Sequence, residues 1–487
     1  MKPGFILPSC PGIRRVDRFG LVDCDDDEVP FWDLLTAVLR SDVAPIKDVS
    51  SLLEALEIIA VTLRGTAAGV DFSLLRDFMT RRFREKSGPN FFRDIWPVLV
   101  DLALEMANLF PDGLLPSLSS TEITEIIFSR KQVACLVIHQ FLCSLPPHPW
   151  STESFVDLSP LYSEANNVHR GAVDAYLTAL FTYFERIVGY SKDSTRVVDS
   201  GTKEWPISFS MRTMTHEDIH RIQDNQAKIT MLSATRVNIV NLPESQTTPR
   251  FLGLPDGACV ISANKSVGYG PSGTQEELNV GSTPEAYPVV LLAPPLSDQQ
   301  VLICRGAEAM VSIIGYGRDA RLGDVLQETV ATSDGLGWNN RTMLFMDALE
   351  LDTLTVEGDR PIPDISPSSR LSREMILKAY NAFSSGTYSH VVTGLWGCGT
   401  FGGNKYVKCI IQWCAAALAG VPELRFVFST PDQHKFGEEL AQLVASLLVN
   451  PASVYRMVHI LVDLKAAAHG VGPDGIFRYI SEKILQQ

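Results

Sequence analysis

The chain has 487 residues, a formal net charge of −14, 45% hydrophobic and 20% charged residues. That length predicts two domains, and that balance predicts globular units with sizeable cores. The acidic excess excludes a general nucleic-acid binder, which needs clustered Lys and Arg, so no direct nucleic-acid binding is expected.

Nine cysteines, at 10, 24, 135, 143, 259, 304, 398, 409 and 414, lie without CxxC spacing. The odd count predicts reduced thiols in an intracellular protein, with no zinc site and no cofactor called for by any spacing. Met1–Arg15 has too short an apolar run for a secretion signal, and no stretch reaches the ~18–20 apolar residues of a membrane span.

Residues 1–30 read as a tail with the acidic run Asp23–Glu28. Ser51-x-x-Glu54 predicts a capping box opening a helix through Leu52, Leu56, Ile59 and Leu63, ended by Gly65. Val70–Glu85 and Phe91–Leu109 keep the helical period. Ser129-x-x-Gln132 caps a further helix expected to run through Cys143 and to stop at Pro146-Pro147-His148-Pro149. A Tyr- and Phe-rich helix is expected over Asn167–Val188.

After about residue 225 short β-branched runs predict strands at Ile229–Val240, Ala258–Ala263, Tyr287–Leu292, Val301–Cys304, Ala309–Ile314, Thr342–Asp347, His390–Leu395 and Leu424–Ser429. Helices are expected at Arg373–Ser384, Lys405–Leu418, Phe436–Leu448 and Ala452–His469. Such alternation predicts an α/β fold with a sheet covered on both faces. The expected division is a tail at 1–30, a helical domain at 31–220 and an α/β domain at 221–487.

Two loops carry the chemistry. Residues 268–277 read GYGPSGTQEE, small residues running into Gln275, Glu276 and Glu277. Glycines admit a phosphate to the backbone NH groups, and neighbouring carboxylates repel, so that one tends to hold its proton and act as an acid. A Gly-rich turn with Glu residues opening a helix also stands as a purely structural feature. The second loop, residues 393–405, reads TGLWGCGTFGGNK after Val391-Val392.

Together these loops resemble the poly(ADP-ribose) glycohydrolase family, whose signature is a Gly-Gly-Gly turn, a short spacer and Gln-Glu-Glu. Phe91–Pro111 and Ser129–Cys143 are similar to the family's helical accessory region, and Arg373–Phe383 to the helix before its second loop. The resemblance spans roughly residues 90–445. It implies a macrodomain-like three-layer α/β/α fold with a mixed sheet, preceded by an all-helical accessory domain. It also implies hydrolysis of ribose–ribose bonds in poly(ADP-ribose), with poly(ADP-ribose), ADP-ribose and poly(ADP-ribosyl)ated proteins as partners. The implied setting is the nucleus or cytoplasm, in carbohydrate metabolism and the DNA damage response.

By the same resemblance Glu277 is the acid that protonates the leaving oxygen, and Glu276 and Asn264 hold the terminal ribose. Gln275 contacts substrate. Gly268, Gly270, Gly397, Gly399, Thr400 and Phe401 line the diphosphate site. Tyr316 closes over the ligand, and Phe428 lies near the adenine or distal ribose. The chain departs from the pattern at Tyr269 inside the glycine turn, in its four-residue spacer Pro271–Thr274, at Ile261 in place of an acid, and at Leu395 in place of Asn. Alternative readings are a non-catalytic reader of ADP-ribose ends and a hydrolase of mono-ADP-ribosyl groups.

Overall fold

In the computed structural model the described residues are 4–486, apart from 24–27, 42–43, 68, 86–89, 119–121, 151–154, 167, 193–204, 216, 218–225, 327–336, 350–369 and 468–474. They divide into two compact units. The first comprises Met1–Phe209, Gly268–Pro295 and Gly306–Gly335. The second comprises Ser210–Val267, Leu296–Arg305 and Leu336–Gln487.

The first unit rests on the helices Phe31–Leu39, Val49–Arg64, Ser73–Glu85, Trp96–Leu104, Arg130–Phe141 and Arg170–Lys192. The second of these is opened by Asp48, not Ser51. The Asp48 carboxylate accepts from Ser51 N at 2.8 Å, so Ser51 is the third helical residue of the capping box and not its cap. An acidic cap three residues upstream satisfies the same orphan NH groups that Ser51 was expected to serve. Gly65 ends this helix in the left-handed region, at φ 73°. The box at Ser129 is as expected: Gln132 N donates to Ser129 Oγ at 3.2 Å, and Ser129 N to Gln132 Oε1 at 3.0 Å. That helix ends at Phe141, short of Cys143, which takes φ 53°.

Phe91–Leu109 is not one helix. It opens in a π-helical turn, Phe91–Ile95, continues as Trp96–Leu104 and ends in a separate turn, Met106–Leu109. Pro97 has no NH to give, and it sits in the first turn of the middle piece, where none is needed. The aromatic load of the Arg170–Lys192 helix is taken up here. Phe181 meets Phe91 at 5.3 Å between centroids, and Phe184 meets Phe141 at 5.3 Å.

A buried ionic network crosses the same unit. Arg130 bonds Glu285 at 2.5 Å, Arg186 bonds Glu308 at 2.9 Å, and Glu308 N donates to Glu285 Oε2 at 2.8 Å. Around it the expected strand Tyr287–Leu292 is instead helical, Val289–Leu292, after the turn Pro284–Ala286. A short run buried on all sides has no periodicity to separate strand from helix, and Pro288 favours a helix start. Val311–Ile314 is a strand, paired antiparallel with Arg321–Val325 as a hairpin whose tip carries Tyr316.

The second unit is organised by a mixed sheet. Its strands β1 (Arg236–Asn241), β2 (Ala258–Ala263), β3 (Gln300–Arg305), β4 (Thr342–Asp347), β5 (Val391–Thr393) and β6 (Glu423–Phe428) lie in the order β3-β4-β2-β5-β6-β1. All neighbouring pairs are parallel except β3 with β4. Every residue of β4 is buried, and successive side chains point to opposite faces, so both faces are covered. β1 is shorter than the run Ile229–Val240 predicted, because Ala227–Ile229 and Leu232–Ala234 form helical turns ahead of it. Trp396, Trp413, Phe426, Phe428 and Phe436 form the centre of this core. The helix Lys405–Ala419 is capped by Asn404, which accepts from Tyr406 N at 2.9 Å and Val407 N at 3.2 Å. Another helix covers Val454–Ala467, and the remainder of the run expected to reach His469 lies outside the described residues.

Candidate active site

In the first unit, the loop Gly268–Thr274 leads into the helix Gln275–Gly281. Tyr269 does not face outward from this loop. It is buried, its hydroxyl accepts from Gln140 Nε2 at 3.0 Å, and its ring lies 5.0 Å from that of Tyr287. The loop keeps glycine where room is shortest: a Cβ on Gly273 would stand 2.3 Å from the Gly317 carbonyl oxygen. That contact comes with a hydrogen bond from Gly317 N to Gly273 O at 2.8 Å, which fastens the hairpin tip to the loop. Gly315 and Gly317 flank Tyr316 with φ of 83° and 60°, a conformation open to few other residues.

Glu276 is buried, and its Oε1 accepts from Gly268 N at 2.9 Å, closing the loop on itself. Glu277 stands differently. It is partly exposed, yet its Oε2 is enclosed without a hydrogen-bond partner, while its Oε1 lies near Gly270, whose Cβ would stand 3.8 Å away, beside the ring of Phe155. Burial raises the Glu277 carboxyl above its ordinary range. Its own backbone NH, the Ser272 hydroxyl and the charge of His169 oppose that rise. The result is a carboxyl inclined to keep its proton. Gln275 is half-buried, and its carbonyl accepts from Asn279 Nδ2 at 2.8 Å. Tyr316 is exposed, and its hydroxyl is pushed up by partial burial and by the negative charge of Glu277, which places the two within electrostatic reach.

In the second unit, Asn264 follows the last residue of β2 and accepts from Ser266 N at 3.1 Å. Because β2, β4 and β5 are parallel, Asn264, Ala348 and the loop 394–403 leave the sheet from one edge, the edge at which α/β sheets take ligands. Gly397, at φ 72°, would place a Cβ 2.5 Å from Ala348 Cβ, and Gly403 N donates to Gly397 O at 2.9 Å. Gly399 has open space around it, Thr400 is exposed, and Phe401 packs part-buried against the core. Trp396 is fully buried and donates to Met346 O at 3.0 Å. Phe428 is likewise fully enclosed, with Phe426 at 6.1 Å and Phe436 at 5.6 Å between ring centroids. Ile261 is buried within β2, and Leu395 packs on the core.

Several residues around these loops were not read from the sequence. Phe155, His169 and Tyr176 come near Glu277 or its loop from about a hundred positions earlier in the chain, and no local pattern announces them. The Lys408 ammonium lies 4.5 Å from the Trp396 ring centroid, beneath the second loop. Asp347 and Lys378 form a buried ion pair beside the end of β2. Burial raises Asp347 and lowers Lys378, while each charge favours the other. A Lys among the apolar residues of MILKAYNAF was the one available signal for that pair. Among the described residues no group of three or more His, Cys, Asp or Glu is placed to hold a metal ion, and no helix is long and apolar enough to cross a membrane.

Residues 254–436 match the family model described as poly(ADP-ribose) glycohydrolase, macro domain fold, and residues 83–210 match that family's helical domain. Poly(ADP-ribose) glycohydrolase 2 of Caenorhabditis elegans is 25% identical over 210 residues, 40% of this chain and 42% of that protein. Poly(ADP-ribose) glycohydrolase 1 of the same organism is 23% identical over 326 residues, 64% of this chain and 37% of that protein. The chain therefore spans about two fifths of the length of these two curated relatives. A probable poly(ADP-ribose) glycohydrolase 2 of Arabidopsis thaliana is 20% identical over 396 residues, 72% of this chain and 74% of that protein. With the helical part preceding a macro-fold part that holds both glycine loops, the chain belongs to the poly(ADP-ribose) glycohydrolase family.

Proposed function

We propose that this chain cleaves poly(ADP-ribose) at the bond between two riboses, with Glu277 as the acid. The observation that carries the reading is the Glu277 carboxyl itself. One of its oxygens is enclosed and unpartnered beside a glycine loop, and burial favours its protonated form. As the glycosidic C–O bond breaks, its electron pair goes to the leaving oxygen, which takes the Glu277 proton. The sugar left behind has oxocarbenium character. Water adds to it and returns a proton to the Glu277 carboxylate, so one carboxyl serves both halves of the reaction. Glu276 accepts from Gly268 N through Oε1, which supports a positioning part for it beside Glu277. Its part is to hold the loop; by the family resemblance it and Asn264 are each proposed as ribose contacts.

By the family resemblance, the glycine loop at 268–273 and the glycine loop at 397–403 each carry backbone NH groups suited to a diphosphate. Gln275 and Tyr316 contact the ligand, Thr400 and Phe401 line its phosphate side, and Phe428 supports the adenine end from within the core. In this reading residues 31–220 are the accessory domain and 221–487 the catalytic one, with poly(ADP-ribosyl)ated proteins in the nucleus or cytoplasm as the source of substrate. Apolar Ile261 and Leu395 favour a second reading, a binder of ADP-ribose ends that does not cleave. Incubating the purified chain with poly(ADP-ribose) separates the two. Release of ADP-ribose is expected, and binding without release would select the binder.

A further inference from the structure

An aromatic ring beside Glu277 has no part in the mechanism above. Over Gly270, at the point a Cβ would occupy, Glu277 Oε1 lies 3.8 Å away and Phe155 Cε2 lies 3.9 Å away. Carboxyl and ring therefore flank one spot on the glycine loop. Phe155 is 44% exposed, whereas Asp157 and Leu158 just after it are buried. Single exposed apolar side chains are ordinary on a protein surface, but the backbone that carries this one is firmly held. Val156 O accepts from Gln140 Nε2 at 3.3 Å, and Leu158 N donates to Gln140 O at 3.1 Å. Asp157 Oδ2 accepts from Arg64 Nη2 at 3.0 Å. The same Gln140 amide, fully buried, donates to the Tyr269 hydroxyl at 3.0 Å and to Tyr287 O at 3.2 Å. One amide thus ties the segment of Phe155 to the residue just before Gly270, which sets the ring against the loop that presents the carboxyl.

We infer that Phe155 is a substrate-contact residue for the unit that leaves, its ring taking the adenine next to the cleaved bond. The inference rests on Glu277 being the acid. A general acid must come within hydrogen-bond reach of the oxygen it protonates, so the leaving unit has to approach the Glu277 carboxyl. That oxygen belongs to the adenosine ribose of the leaving unit, which brings an adenine within one sugar of the carboxyl. An exposed aromatic face is the chemistry that receives a base face, and it does so without reading the base through hydrogen bonds. Free ADP-ribose has a single adenine, which the reading above assigns to the Phe428 side. Phe155 therefore adds affinity for a chain of two or more units and none for the released product. It is a device for preferring polymer over monomer.

The test compares two probes, ADP-ribose and a two-unit ADP-ribose oligomer, on the full chain carrying Glu277→Gln so that neither is cleaved. Adding Phe155→Ala should weaken oligomer binding by about 5–100-fold, the worth of one base–aromatic stack, and change ADP-ribose binding by less than about twofold. Phe155→Tyr keeps the ring and should hold most of the oligomer affinity. With Glu277 in place, Phe155→Ala should raise KM for poly(ADP-ribose) far more than it lowers kcat, because the ring holds ground state and transition state alike. Unchanged oligomer binding in Phe155→Ala overturns the inference, and so does an equal loss for both probes or a Phe155→Tyr variant no better than Phe155→Ala. Each of those outcomes leaves the acid role of Glu277 standing. A wild type that binds the oligomer and releases no ADP-ribose overturns the catalytic reading instead, and the binding comparison still decides on Phe155.

Discussion

Glu276 reaches back eight residues to accept the Gly268 NH at 2.9 Å, while its neighbour Glu277 leaves an enclosed oxygen unpartnered. Two adjacent carboxyls are thereby set to different work, one structural and one open to chemistry. Glu276→Ala strands the Gly268 NH and should cost about 1–3 kcal/mol of stability together with a loss of ADP-ribose affinity. Glu276→Gln keeps an acceptor oxygen and should lose less of both. Denaturant melts and calorimetry on the two variants check this, and equal losses would contradict it.

Tyr269 stands where the family has glycine, but its hydroxyl is spent on Gln140 inside the first unit. Tyr269→Phe should therefore destabilise by about 1 kcal/mol and leave ADP-ribose affinity within about twofold. A large loss of affinity in a variant of near-normal stability would show that the hydroxyl serves the ligand after all.

Tyr316 is 53% exposed at the hairpin tip, so its removal leaves no cavity. Tyr316→Ala should change stability by no more than about 0.5 kcal/mol. ADP-ribose binding should weaken by about 0.5–1.5 kcal/mol, the worth of one aromatic contact. Unchanged binding would remove Tyr316 from the site.

Burial raises the Glu285 carboxyl to about 7 from an ordinary 4.5, with Arg130 opposing and Glu308 adding to the rise. An acid whose folded value is raised binds its proton more tightly in the folded state. Its contribution to stability is complete below about 4.5 and is lost as pH climbs through about 7. Glu285→Gln cannot titrate, so its stability should fall less between pH 5 and pH 7.5 than that of the wild type. Denaturation midpoints at the two pH values measure this, and parallel slopes would refute it.

Much of the architecture was legible because it rests on local rules. The Ser129–Gln132 box, the glycine stop at Gly65 and the parallel strands at Ala258–Ala263 and Thr342–Asp347 follow from capping chemistry and β-branched runs. Tyr287–Leu292 was misread because a run buried on every side carries no period. The glycine loops and the Glu pair were visible as motifs. The inward turn of Tyr269 was not, since it depends on Gln140, 129 positions away. The surroundings of Glu277 were equally hidden, because His169 and Tyr176 arrive on a helix about a hundred residues earlier.

The central claim is that Glu277 delivers the proton to the leaving ribose. Glu277→Gln keeps the size and hydrogen-bonding capacity of the side chain and removes only the acid. The direct measurement is poly(ADP-ribose) turnover beside ADP-ribose affinity, for the wild type and this variant. Turnover should fall by about 10²–10⁴-fold while affinity stays close to that of the wild type, because the proposed reading assigns the diphosphate and adenine to other groups. Near-wild-type turnover in Glu277→Gln would contradict the account.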